Sequence, residues 1–150
     1  MIESLGDEFM TDHSVHEIRI EKSFSASCER VFDAWFDTHH LATWLFHSDK
    51  IVSIKQDSQV GGKFSYIVNR AGKSVEHLGK FLELSRPNYL TFTWELPQES
   101  PHTSTVKITL EVVEQGSKLT LTHKGVLDGT QDLIRTNWAQ ILDHLEDNLT

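Results

Sequence analysis

The chain has one cysteine in 150 residues, so no internal disulfide can form. Without cross-links the fold must be held by its core, and a chain of this length can build a real one as a single domain. The lack of disulfides fits a reducing compartment, and a cytoplasmic location is expected. Positive charge is scarce: 14 Lys and Arg stand against 22 Asp and Glu, for a formal net charge of -8. Lys50 and Lys55 come nearest to a basic cluster. Nucleic acids and anionic membranes both need a basic footprint, so neither is expected as a partner. No apolar run approaches the roughly 20 residues needed to cross a bilayer. Met1 to His16 carries no charged-then-apolar leader pattern and no cleavage signal. Residues 1–14 are expected to be a flexible tail, followed by one domain over 15–150.

Several chemistries are missing as well. No glycine-rich phosphate loop follows a strand pattern, because Gly61-Gly62 opens one instead. No serine sits in a nucleophile elbow. Nine histidines raise the question of metal, yet His39, His40 and His47 have no Cys or acid pair at ligand spacing. No metal and no cofactor are expected. Cys28 reads as a small buried hydrophobe, since a reactive thiol needs an electropositive setting.

What is present is periodicity. Ile134, Trp138, Ile141, Leu145 and Leu149 recur at helical spacing, and Leu142 widens the stripe. At about 1.5 Å per residue this helix is a rod of roughly 24 Å. It cannot bury its stripe alone, and Asp128-Gly129-Thr130 before it supplies a turn and an N-cap. Elsewhere the period is two. Ile18, Ile20 and Phe24 share one parity. Phe64, Tyr66 and Val68 do so next, and then Val75, His77, Gly79 and Phe81. Leu90, Phe92, Trp94 and Leu96 follow, then Val106, Ile108, Leu110 and Val112, then Leu119, Leu121 and His123. Turns at 70–73, 86–88 and 114–117 separate consecutive strands, which implies an antiparallel meander. Between the first strand and Ile51, Ser27 caps a short helix with Cys28, Val31, Phe32 and Trp35 on its apolar face. Asp37 can cap a second one through Trp44. The class is α+β: a curved antiparallel sheet of about seven strands with two short helices. The long C-terminal helix covers its one apolar face in a helix-grip arrangement.

The sequence resembles the START-like (SRPBCC) superfamily. Within it, the resemblance is to the branch named for the activator of the 90-kDa heat-shock protein ATPase. It rests on Arg30-Val31-Phe32-Asp33-Ala34-Trp35, His40-Leu41-Ala42-Thr43-Trp44 and Gly61-Gly62-Lys63-Phe64. Gly79 to Leu84, Pro87 to Trp94, Ser104-Thr105-Val106, Leu119 to Gly125, and Trp138 with Leu142, Leu145 and Leu149 continue it. The order and spacing together carry the resemblance. It implies a START/Bet v 1-like fold with a deep cavity between sheet and C-terminal helix. Members bind lipids, sterols, polyketides or hormones there, some are cyclases or hydrolases, and a few are co-chaperones. Two places depart from the usual pattern: Leu45-Phe46-His47 after Trp44, and Asn137 before Trp138.

The candidate ligand-binding residues are Trp44, Phe64, Tyr66, His77, Phe92, Trp94, His123, Asn137 and Trp138. The aromatics would supply apolar burial, and His77, His123, Tyr66 and Asn137 the few polar groups such pockets carry. His77 and His123 share the inward parity with apolar neighbours and each needs a partner if buried. No Asp or Glu shares that parity on their strands, which argues against a charge-activated base. No catalytic residue is therefore assigned. The reading is a non-catalytic module for a small hydrophobic or amphipathic molecule. Two alternatives stay open. One is a cyclase- or hydrolase-type enzyme using His77 or His123 as base. The other is a co-chaperone-like interaction protein acting through its outer surface. An exposed edge strand could pair in a homodimer.

Overall fold

A computed structural model describes residues 15–98 and 102–150. The expected tail, residues 1–14, lies outside the described residues. The element order is β1 (Val15–Phe24), α1 (Cys28–Ala34), α2 (Thr38–Leu45), β2 (Lys50–Gln56), β3 (Lys63–Arg70), β4 (Lys73–Ser85), β5 (Tyr89–Glu95), β6 (Thr103–Val113), β7 (Gly116–Leu127) and α3 (Gln131–Leu149). The strands form a 7-stranded sheet in the order β1-β7-β6-β5-β4-β3-β2. Every pairing is antiparallel. This is the expected α+β helix-grip arrangement: two short helices follow the first strand, and the long last helix lies across the sheet.

Local chemistry explains the elements. Ser27 Oγ accepts from the Arg30 amide at 3.2 Å and caps α1 as expected. Asp37 precedes α2 but makes no side-chain cap bond. Its carboxylate bonds instead with the His40 ring at 2.8 Å, which holds the acid below the usual carboxylate range. Thr130 likewise precedes α3 without capping it, because its hydroxyl donates to the Leu127 carbonyl at 2.6 Å. Ala71 and Gly72, both at positive φ, turn β3 into β4 over two residues. Gly79 pairs across from Phe64 on β3, and a Cβ there would meet the Phe64 ring at 2.0 Å. The glycine is the floor on which that ring lies.

The alternation of period two is real along most strands. Phe64, Tyr66, Val68, Val75, His77 and Phe81 are buried, as are Val106, Ile108, Leu110, Leu119, Leu121 and His123. Val112 breaks the pattern. It keeps the inward parity but is 81% exposed near the end of β6. On α3 only Trp138, Leu142 and Leu145 are buried, while Ile134, Ile141 and Leu149 are partly covered. Ion pairs tie the layers together at the rim. Lys22 of β1 reaches Asp143 at 2.8 Å and Glu146 at 3.0 Å on α3. Arg86, in the β4–β5 turn, holds Asp33 of α1 through two bonds of 2.8 Å.

Candidate functional site

The space between sheet and α3 has two unlike ends. At the inner end the aromatics of α1, β3, β4 and β5 close on one another. Phe64 sits 4.7 Å from Tyr66, 5.4 Å from Phe81 and 5.8 Å from Phe92, ring centre to ring centre. Trp35 meets Trp44 edge-on at 4.7 Å. Such contacts are favourable beyond their buried area. They leave a void of only about 10 Å³, lined by Trp35, Phe64, Tyr66, Phe92, Trp94 and Trp138 among others. The deep cavity implied by the resemblance is thus filled by the chain's own rings.

At the outer end lies an open pocket of about 360 Å³. Its apolar wall includes Trp44, Phe46, Trp94, Ile134, Trp138 and Ile141. Its polar groups include His77, His123, Asn137, Gln140 and His144. The helical period explains the α3 wall: residues 134, 137, 141 and 144 share one face of α3, and this face turns polar toward the pocket. Trp94 and Trp138, 6.0 Å apart, line both the void and the pocket. They are the partition between the two ends.

Of the expected residues, the structure brings Trp44, His77, Trp94, His123, Asn137 and Trp138 together around the open pocket. Phe64, Tyr66 and Phe92 lie on the inner void instead. The Tyr66 hydroxyl donates to Gln56 Oε1 rather than facing the pocket, and burial raises its pKa.

The two buried histidines differ in what their nitrogens do. The Trp138 indole N–H donates to His123 Nδ1 at 3.0 Å. Because an indole can only donate, Nδ1 must accept and Nε2 must carry the proton. Nε2–H then donates to Ser104 Oγ at 2.7 Å, and the Ser104 hydroxyl donates in turn to the Trp94 carbonyl at 3.0 Å. This chain pins both members of the partition and leaves no free nitrogen on His123. Burial lowers the His123 pKa to about 4, so the ring is neutral near pH 7.

His77 Nδ1–H donates to the Tyr66 carbonyl at 3.2 Å. The ring is flanked by Phe46 at 4.8 Å and Trp94 at 5.3 Å. Burial is the main cause that lowers its pKa to about 4, so Nε2 keeps its lone pair. Nε2 has no hydrogen-bond partner among the described residues.

Sequence reasoning missed part of the pocket. Asp49 and Arg70 face each other across the β2–β3 edge, with Arg70 Nη2 2.7 Å from Asp49 Oδ2 and Nε 3.2 Å from either oxygen. The Lys50–Asn69 register sets them side by side. Opposite charges bounding consecutive strand patterns were the available signal. His47, after α2, stacks on His144 of α3 at 3.9 Å and 11°. The sequence marks Leu45-Phe46-His47 as a departure from the family pattern, but no spacing announces that His47 meets His144. Among the described residues, no group of three or more His, Cys, Asp or Glu side chains could hold a metal ion. Cys28 is buried, and burial pushes its thiol pKa up. No helix of the described residues is long and apolar enough to cross a membrane.

A curved antiparallel sheet gripped by a C-terminal helix, with a mixed pocket at one end, defines a START/Bet v 1-like helix-grip protein. Within that class the chain belongs to the family described as Activator of Hsp90 ATPase homolog 1-like protein, whose profile matches residues 25–150. Solved structures share the fold. A Chromobacterium violaceum protein is 26% identical, with 87% of this chain and 94% of that one covered at a TM-score of 0.74. A Rhizobium loti protein is 23% identical, with 90% and 99% covered at a TM-score of 0.77. Ara h 8.0201 is 19% identical, with 89% and 97% covered at a TM-score of 0.72. No curated protein matches the chain in sequence.

Proposed function

We propose that the protein binds a small amphipathic molecule in the outer pocket and performs no reaction on it. The observation that carries this reading is the pocket itself. It is about 360 Å³, at the lower end of the range for small-molecule sites, and it pairs an aromatic wall with a few polar groups. The family belongs to a fold whose members commonly bind hydrophobic ligands, which agrees with the reading. The histidines support binding over catalysis. His123 has both nitrogens engaged within the protein. His77 has one free nitrogen, but a base with a pKa of about 4 removes protons poorly at neutral pH.

The test is native mass spectrometry of the protein purified from its own host, with denaturing release of what is bound. The expected result is a reproducible extra mass of a few hundred daltons. It should vanish in Asn137→Trp, which puts a large ring into the pocket from an exposed helix position. A clean apo mass, with no thermal shift across a panel of aromatic and lipid-like compounds, contradicts the reading. Turnover of a bound compound that His77→Phe abolishes contradicts the non-catalytic part.

A further inference from the structure

The pocket's unused polar groups say what its ligand must bring. The Arg70 guanidinium and the Asp49 carboxylate are bound to each other, so the pair offers no net charge to an ionic ligand. His123 has no nitrogen left. Ser104 already donates to a carbonyl. Unused capacity remains at the buried Trp44 indole N–H, which has no acceptor among the described residues and can only donate, and at His77 Nε2, set between two aromatic faces, which can only accept because Nδ1–H is committed to a backbone carbonyl. Across the pocket, the Asn137 and Gln140 amides stand on α3 with no hydrogen bond among the described residues. A ligand hydroxyl can donate to Nε2 and accept from the Trp44 N–H, which meets both unused groups at once.

We infer that the ligand is a neutral aromatic compound of one or two rings bearing a hydroxyl or amine N–H, whose proton is accepted by His77 Nε2 between Phe46 and Trp94. This rests on the proposed function and specifies its ligand class. Ring systems suit the pocket because its wall carries Trp44, Phe46, Trp94 and Trp138, and the partition of Trp94 and Trp138 stops it short of the inner void. Anions are disfavoured twice, by the paired Arg70 and by an acceptor at the pocket's polar point.

The experiment compares 2-naphthol with its isostere 2-methylnaphthalene by calorimetric titration of the wild type and of His77→Phe, which keeps a flanked ring and removes the acceptor. Replacing His77 should weaken 2-naphthol roughly three- to tenfold relative to 2-methylnaphthalene, the range of one net hydrogen bond. A second measurement on the wild type needs no variant: long-range 1H–15N spectra should show the His77 Nε2 resonance moving with 2-naphthol and staying still with 2-methylnaphthalene. If both compounds bind and respond alike to the substitution, or the Nε2 resonance ignores 2-naphthol, the inference is overturned and the binding reading stands. If neither compound binds the wild type and native mass spectrometry finds no bound molecule, the binding reading itself fails. Should His77→Phe not fold, the Nε2 resonance alone decides.

Discussion

The inner and outer ends of the space beneath α3 are built from the same strands and the same helix, yet one is closed and the other open. At the inner end, side chains from four elements point at one another and Phe64 fills the centre over Gly79. At the outer end the strands finish, the loop after α2 swings across, and α3 presents Asn137, Gln140 and His144. The difference shows that one sheet and one helix can enclose a closed end and an open end together. Here the position of large aromatics on β3, β4 and β5 decides where space remains. The two buried histidines repeat the contrast on a small scale. Both are neutral for the same reason, burial, but His123 ties the partition shut while His77 keeps one atom for the pocket.

The strongest way to break the contrast is to remove the partition. Trp138→Ala should cost about 3–5 kcal/mol in a denaturant titration, as large aromatic deletions in cores do. It also orphans His123 Nδ1 and joins the two ends, so longer probes that the wild type rejects should bind. Acid comes next. With folded-state pKa values of about 4, below the 6.5 of free histidine, His77 and His123 take up protons more readily in the unfolded chain. Their contribution to stability is therefore complete above pH 6.5 and lost as pH falls toward 4, at roughly 3 kcal/mol each. Denaturation curves across that window should show it, and His77→Phe should halve the slope. Smaller still is Phe92→Leu, confined to the inner end. It should lower stability by about 1 kcal/mol and leave pocket affinity unchanged by calorimetry. Asn137→Ala is the smallest in stability, within about 0.5 kcal/mol, because the residue is exposed. Its effect should appear only as weaker binding of a ligand that reaches α3.

Much of the fold was legible because parity and helical spacing are local. Phe64-Tyr66-Val68 and the stripe from Trp138 to Leu145 declare their faces within a few residues. Val112 shows the limit: its parity is right, but parity alone does not say how far along a strand the core reaches. The candidate site was legible where it lies on those faces, as for His77, Trp94, His123 and Trp138. Asp49 with Arg70 depends on strand register, and His47 with His144 on how the segment after α2 meets α3. Both are long-range facts that no single stretch carries. Depth was illegible for a related reason. Phe64 and Phe92 have the same inward parity as His77, but whether inward means core or pocket is set by how neighbouring rings fill the space.

Ligand in the outer pocket and a closed inner end are tested most directly by a map of amide and side-chain resonances in the wild type as 2-naphthol is added. Changes are expected at His77, Trp94, Asn137 and Ile141, with Phe64, Phe81 and Leu90 unmoved. Changes centred on Phe64, Phe81 and Leu90, or none anywhere, would contradict this arrangement.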